Sequence, residues 1–126
     1  MRISIIIALV IFLIQSTTYA QWSQIGTYSG ARMSINKSTI VKKKNGNVVG
    51  QVRFINSSPQ PVADGSSIKY VTVVSEYECN CTKKQYKRNI VVYYDGNDKP
   101  VYKGRKTGWQ SVGNNAAGDA LKFMCK

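Results

Sequence analysis

Few residues in this chain have the type and spacing that chemistry requires. There is no His, which removes every His-dependent triad and every His-ligated metal site. The acidic residues are Asp64, Glu76, Glu78, Asp95, Asp98 and Asp119, too few and too scattered for a carboxylate cage. Glu76 and Glu78 form the one close pair. Two apart on a strand, they share a face, and paired carboxylates can support acid–base work on a glycoside. On an exposed strand such a pair reads instead as a solvated face. No Ser or Cys has a local base signature to make it a nucleophile.

The thiols are Cys79, Cys81 and Cys125. Cys79-x-Cys81 suggests metal or redox chemistry, but three thiols without a His make a poor ligand set. Neighbours on one strand face do not bond each other without strain. In an oxidising compartment one of the two pairs with Cys125. The other is left over, either buried and inert or paired between molecules. No cofactor is implied.

Charge is the larger signal. The 126 residues carry 18 Lys+Arg against 6 Asp+Glu, a net charge of +12, and such a protein attracts anionic surfaces. The cations gather in three turn-centred clusters: Lys42–Lys44; Lys83, Lys84, Lys87 and Arg88; and Lys99, Lys103, Arg105 and Lys106. Solvated turns are the plain reading. The functional reading is a docking patch for an acidic protein segment, a sulfated glycan or lipopolysaccharide phosphates. Lys83, Lys84, Tyr86, Lys87 and Arg88 are the candidate partner-binding residues. Tyr86, Tyr93, Tyr94, Tyr102 and Trp109 could stack bases, but Tyr also favours half-buried strands, and export argues against a specific nucleic-acid role.

Export is read from Met1–Ala20. Arg2 precedes the apolar run Ile3–Ile14, and Thr18-Tyr19-Ala20 places small residues at the cleavage positions. The run is shorter than the ~18 residues a spanning helix needs, and no later stretch is apolar enough to cross a bilayer. Residues 21–126 then form one small domain.

The elements that must position these residues are mostly strands. Trp22–Tyr28 ends at the turn signal Ser29-Gly30, and Arg32–Ile35 is a short second strand. Asn36–Ile40 reads as polar chain opened by a turn residue. Val41–Asn45 turns at Asn45-Gly46, and Asn47–Asn56 is a clear strand. Ser57–Ser67 reads as the one real loop. Lys69–Asn80 is the longest strand, with Val71, Val73, Tyr77, Cys79 and Cys81 inward and Thr72, Glu76 and Glu78 opposite. Gln85–Tyr94 returns antiparallel, followed by short strands at Val101–Lys103 and Trp109–Val112. Asn115–Cys125 is the one good helix: Asn115 caps it, and Ala117, Ala120, Leu121 and Met124 make one apolar stripe. Trp22 and Trp109 read as hydrophobic closure of the sheet by its first and last strands. The expected fold is α+β: a single curved antiparallel β-sheet of about six strands, one C-terminal helix packed on it, tied by a disulfide.

The order of these signals resembles the bacterial surface-adhesin protein E family. Trp22-Ser23-Gln24-Ile25-Gly26 opens the exported part, and Ile35-Asn36-Lys37-Ser38-Thr39-Ile40 takes the place of a D-x-x-S-I segment. Cys81-x4-Tyr86, Tyr93-Tyr94-Asp95-Gly96, Trp109-Gln110-Ser111-Val112 and Ala120-Leu121-Lys122-Phe123-Met124-Cys125 follow in order. The resemblance implies the same single sheet and helix, and it implies Cys81–Cys125 as the bridge, with Cys79 extra. It also implies binding to host extracellular-matrix or plasma proteins, and possible homodimerisation. Asn36 and Thr39 replace the usual Asp and Ser, and Asn114-Asn115 replaces a Pro-Gly-Ser-like segment. No lipobox Cys stands at the cleavage point, so the expected location is the periplasm, the cell surface or the medium. The alternative function is a periplasmic or envelope interaction protein, or an inhibitor-type protein.

Overall fold

The structure is a computed structural model that describes residues 21–126. The export signal read from Met1–Ala20 lies outside the described residues. Seven strands form one antiparallel sheet: β1 (Trp22–Tyr28), β2 (Ala31–Lys42), β3 (Val48–Pro61), β4 (Lys69–Asn80), β5 (Gln85–Tyr94), β6 (Pro100–Lys103) and β7 (Gln110–Ser111). The order β1-β2-β3-β4-β5-β6 follows the chain, and β7 pairs with β5 beyond the end of β6. Each of the first six strands therefore needs only a hairpin to reach its neighbour. At Ser29-Gly30 both residues have positive φ, 50° and 82°, the backbone that a tight β1–β2 hairpin requires.

Two segments expected to be irregular are strand. Asn36–Ile40 lies within β2, where the pairing with β3 shifts register between Asn36 and Val41. Asn36 still makes its local turn: its Oδ1 accepts from the Ser38 amide and hydroxyl at 3.2 and 2.7 Å. The polar run therefore makes a bulge and leaves the strand unbroken. Likewise β3 continues through Ser57–Pro61 and re-pairs with β4 at Gln60 and Pro61, which shortens the expected loop to its second half.

The one helix among the described residues, α1 (Ala116–Met124), packs on β1, β2 and β3. The Asn115 side chain accepts from the Gly118 amide at 3.1 Å, as an N-cap does. Ala117, Ala120, Leu121 and Met124 are buried. They meet Met33, Ile35, Val52 and Cys79, each fully buried on the sheet. Covering side chains of this size contributes about 1.5–3 kcal/mol apiece. A helix this short is marginal alone, so its attachments matter. Cys81 and Cys125 form a disulfide across 44 residues, which the chain-entropy model values at about 3–4 kcal/mol. The Tyr28 hydroxyl donates to Asp119, and that bond, with burial and the carboxylate charge, raises the phenol to about 12. Gly118 lies so close to the Gly113 carbonyl that a Cβ there would collide with backbone.

The face away from the helix is not uniformly solvated, and Glu78 corrects the expectation for it. Glu78 is only 3% exposed. It accepts from Lys43 Nζ at 3.2 Å, Asn47 Nδ2 at 2.9 Å and Asn89 Nδ2 at 3.1 Å. Burial pushes its carboxyl upward, but bonds from Asn47, Asn89 and Lys43 with the lysine charge outweigh it, and the net shift is down. Asn89 also donates to Glu76 at 3.0 Å. It is the extra residue where the β4–β5 pairing steps from Glu76↔Ile90 to Tyr77↔Arg88.

Three outcomes follow from these attachments. Cys125→Ser, or reduction, lowers the thermal midpoint and loosens the helix at a cost of about 3–4 kcal/mol; an unchanged melt after reduction would count against the staple. Gly118→Ala destabilises by about 1–3 kcal/mol although Ala is the better helix former, which a melting curve tests directly. The lowered Glu78 pKa contributes stability that is present above the unfolded value, near 4.5, and is lost as pH falls through the folded one. Glu78→Gln is therefore less stable than the parent at neutral pH, by about 1–3 kcal/mol. The difference shrinks below pH 4.5; a pH-independent difference in urea melts would refute the ionised network.

Candidate functional site

The fold redistributes the cation clusters. The β2–β3 turn carries Lys42–Lys44 and the β4–β5 turn carries Lys83 and Lys84, and both lie at the same end of the sheet, where Val48 and Cys79 face each other. The disulfide brings the helix C-terminus there too. A cleft of about 540 Å³ opens between these elements, lined by Lys42, Gly46, Thr82, Cys81, Cys125 and Lys126. Six lysines thus share one end of the molecule. Its one acidic side chain among the described residues is Glu78, buried beneath Lys43. Asp64, Asp95 and Asp98 sit in turns at the opposite end, between β3 and β4 and between β5 and β6. The charge is polarised along the strands.

The five candidate partner-binding residues are not one patch. Lys83 and Lys84 are exposed at the turn. The Lys83 amide is fixed by Asn80 Oδ1 at 3.0 Å, and Lys84 has φ of 53°. Beyond them the strand alternates. Tyr86 and Arg88 lie on the helix-side face, opposite Cys79 and Tyr77, while Lys87 lies on the other face, opposite Glu78. Tyr86 stacks on Tyr77 with centroids 5.2 Å apart, and its hydroxyl bonds Gln110 Oε1 at 3.3 Å. Lys87 Nζ sits 4.9 Å from the Trp109 ring centroid, a cation–π distance. The third cluster is dispersed: Lys99 is in the far-end turn, and Arg105 and Lys106 run beside β5, where Gly104 and Thr107 donate to Val91 and Arg88.

The tryptophans divide. Trp22 is half-buried beneath Arg53, whose guanidinium is 4.2 Å from the ring centroid. Trp109 is 42% exposed, because β7 touches only the first two residues of β5 and closes little of the sheet. Sequence reading missed two contributors. Lys126 joins the basic end only through the disulfide. Tyr70, Tyr77 and Tyr93 come together with Arg88 only through the β4–β5 register.

Catalytic chemistry finds little purchase among the described residues. Cys79 is a free thiol with no exposed surface, 3.9 Å from Met124 Sδ. Burial, and secondarily the Glu78 charge, pushes it up to about 12, so it is neither a thiolate nucleophile nor a ready ligand. Glu78 is engaged by three donors. No group of three or more Cys, Asp or Glu comes together as a metal site among the described residues. No helix there is long and apolar enough to cross a membrane.

Comparison with known proteins agrees with this architecture. Several solved structures of Haemophilus influenzae protein E superpose on the chain at 12% sequence identity. One has a TM-score of 0.63 and covers 84% of each chain. Its crystal form II gives 0.65, over 84% of this chain and 87% of that one. Protein E from non-typeable Haemophilus influenzae gives 0.57, over 84% and 76%. Curated protein sequences contain no match. The family model described as surface-adhesin protein E matches residues 22–126, from the first residue of β1 to the chain's last lysine, and the chain belongs to the surface-adhesin protein E family.

Proposed function

We infer that this protein is an exported, non-enzymatic binding module that adheres through its basic end to an acidic surface on a host matrix or plasma protein. Met1–Ala20 is its export signal in this reading. One observation carries it: two turns and the helix terminus deliver six lysines to one end, where the one acidic side chain among the described residues is buried. An array of that kind gathers a negatively charged partner and speeds encounter. Lys83 and Lys84 lead the contact, with Lys42, Lys44 and Lys126 beside them. Tyr86, Lys87 and Arg88 flank it along β5. Family membership supports adhesion, and the scarcity of catalytic side chains supports a binding role over an enzymatic one.

Lys42, Lys44, Lys83 and Lys84 changed together to Ala test the reading, with Lys43 retained because it holds Glu78. The parent binds immobilised plasma and matrix proteins in a salt-sensitive way. The variant binds about tenfold more weakly with a flatter salt dependence, while its melting curve is unchanged. Equal capture by parent and variant at every salt concentration would overturn the basic end. Protease shaving of intact cells tests the location: digestion is expected, and protection would leave an interaction inside the envelope.

A further inference from the structure

The helix covers the β1–β3 part of its face of the sheet and the Cys79 end of β4. The rest of β4–β6 is left to tyrosines. Tyr70 and Tyr93 meet edge to face, with centroids 4.7 Å apart, and Tyr93 meets Tyr102 in the same way at 5.7 Å. A cleft of about 290 Å³ opens beside them, lined by Phe54, Tyr70, Val73, Tyr77, Arg88 and Tyr93. Arg88 Nε is buried in the protein without a hydrogen-bond partner among the described residues, and no carboxylate there pairs with its guanidinium. The backbone beneath it is fixed on both sides by Thr107, whose Oγ1 accepts from the Arg88 amide at 2.9 Å and whose amide donates to the Arg88 carbonyl at 3.0 Å. The cation is therefore mounted on a rigid strand.

We propose that this cleft binds a carboxylate-bearing sugar residue, whose ring packs on the tyrosines and whose carboxylate pairs with the Arg88 guanidinium. Three features select a sugar over a peptide. The floor is made of strands already hydrogen-bonded on both sides, so an extended peptide gains no main-chain bonds there. The volume is at the bottom of the range for small-ligand sites, room for one ring. The lining combines flat aromatic faces with a forked cation, which suits a ring bearing a planar anion. Burial holds the Tyr77 phenol up at about 12 and raises that of Tyr70, so both hydroxyls stay protonated as donors. The proposal deepens the binding-module reading by giving it a glycan ligand, at a place separate from the basic end.

The test uses protein made from the full chain with its disulfide intact and its Tyr rings isotope-labelled. A hyaluronan tetrasaccharide, which carries carboxylates and no sulfate, is titrated against neutral chitotetraose and hexaglutamate. The hyaluronan fragment is expected to shift the ring signals of Tyr70, Tyr93 and Tyr102 at roughly millimolar concentration, and the other two are not. Arg88→Gln weakens binding about tenfold or more. Tyr102→Ala, at a position 43% exposed and so tolerant of change, weakens it several-fold. Lys83→Ala with Lys84→Ala weakens it no more than about twofold, the small loss expected of screened surface charges, which separates this cleft from the basic end. Chitotetraose or hexaglutamate shifting the Tyr70, Tyr93 and Tyr102 ring signals as strongly as hyaluronan would overturn the proposal. So would Tyr102→Ala binding like the parent, the lysine variant losing as much as Arg88→Gln, or the absence of ring shifts at about 10 mM.

Discussion

The Cys81–Cys125 bond is the constraint on which the rest of the arrangement depends. A seven-stranded meander has no second sheet to cover its apolar face, and a nine-residue helix has no stability of its own. The bond joins the end of β4 to the end of the helix, and so presses the helix stripe onto Met33, Ile35, Val52 and Cys79. It also sets the diagonal. Held at the β4 terminus and by Tyr28 on β1 through Asp119, the helix lies over β1–β3 and the Cys79 end of β4 and leaves the remainder of that face open. The same bond carries Lys126 to the turns that hold the other lysines. A staple that stabilises the core thus defines both surfaces that are free to bind.

Asn89 is the second determinant. An extra residue in one strand of an antiparallel pair exchanges the faces of everything beyond it. Up to Ile90 the β5 side chains alternate in one phase. Past Asn89 the phase reverses, and Tyr86 and Arg88 turn to the helix side while Lys87 turns to Trp109. The bulged Asn is not idle, because its amide satisfies both Glu76 and Glu78. Without such partners a carboxylate buried this deeply would be costly. The pair of acids that the sequence reads as a solvated face is therefore the anchor of a bulge.

Much of this was legible in the sequence. Alternation found the strands, Asn115 and the Ala117–Met124 stripe found the helix within a residue at each end, and the resemblance implied the Cys81–Cys125 pairing. What escaped was set by register. Asn36–Ile40 looks like a turn because Asn36 does make its local hydrogen bonds, yet Asn36 pairs with both β1 and β3 and the pairing with β3 resumes at Val41, so the segment is a bulge within the strand. Ser57–Pro61 reads as loop because Ser and Pro disfavour strands, yet it re-pairs with β4 past a bulge. The four cations of residues 83–88 look contiguous along the chain, but alternation and the Asn89 bulge send them to a turn and to two faces. Composition cannot reveal a bulge; only the partner strand does.

The two surfaces suit different steps of recognition. Lysines on turns are long-reaching, flexible point charges, and between exposed groups their attraction is screened beyond about 8 Å at physiological salt. They can gather a polyanion and orient it, but they discriminate weakly among polyanions. A guanidinium on a clamped strand among aromatic rings has the opposite character: short-ranged, oriented and shaped. Because the acids lie at the far end of the strands, the field along the sheet draws an anionic chain towards the lysine-bearing turns. The open tyrosine face begins where those turns end, since Tyr86 and Arg88 follow Lys83 and Lys84 within one strand. An anionic polymer held at the turns would lie alongside that face, so that steering and selection are coupled by the geometry of β5 itself.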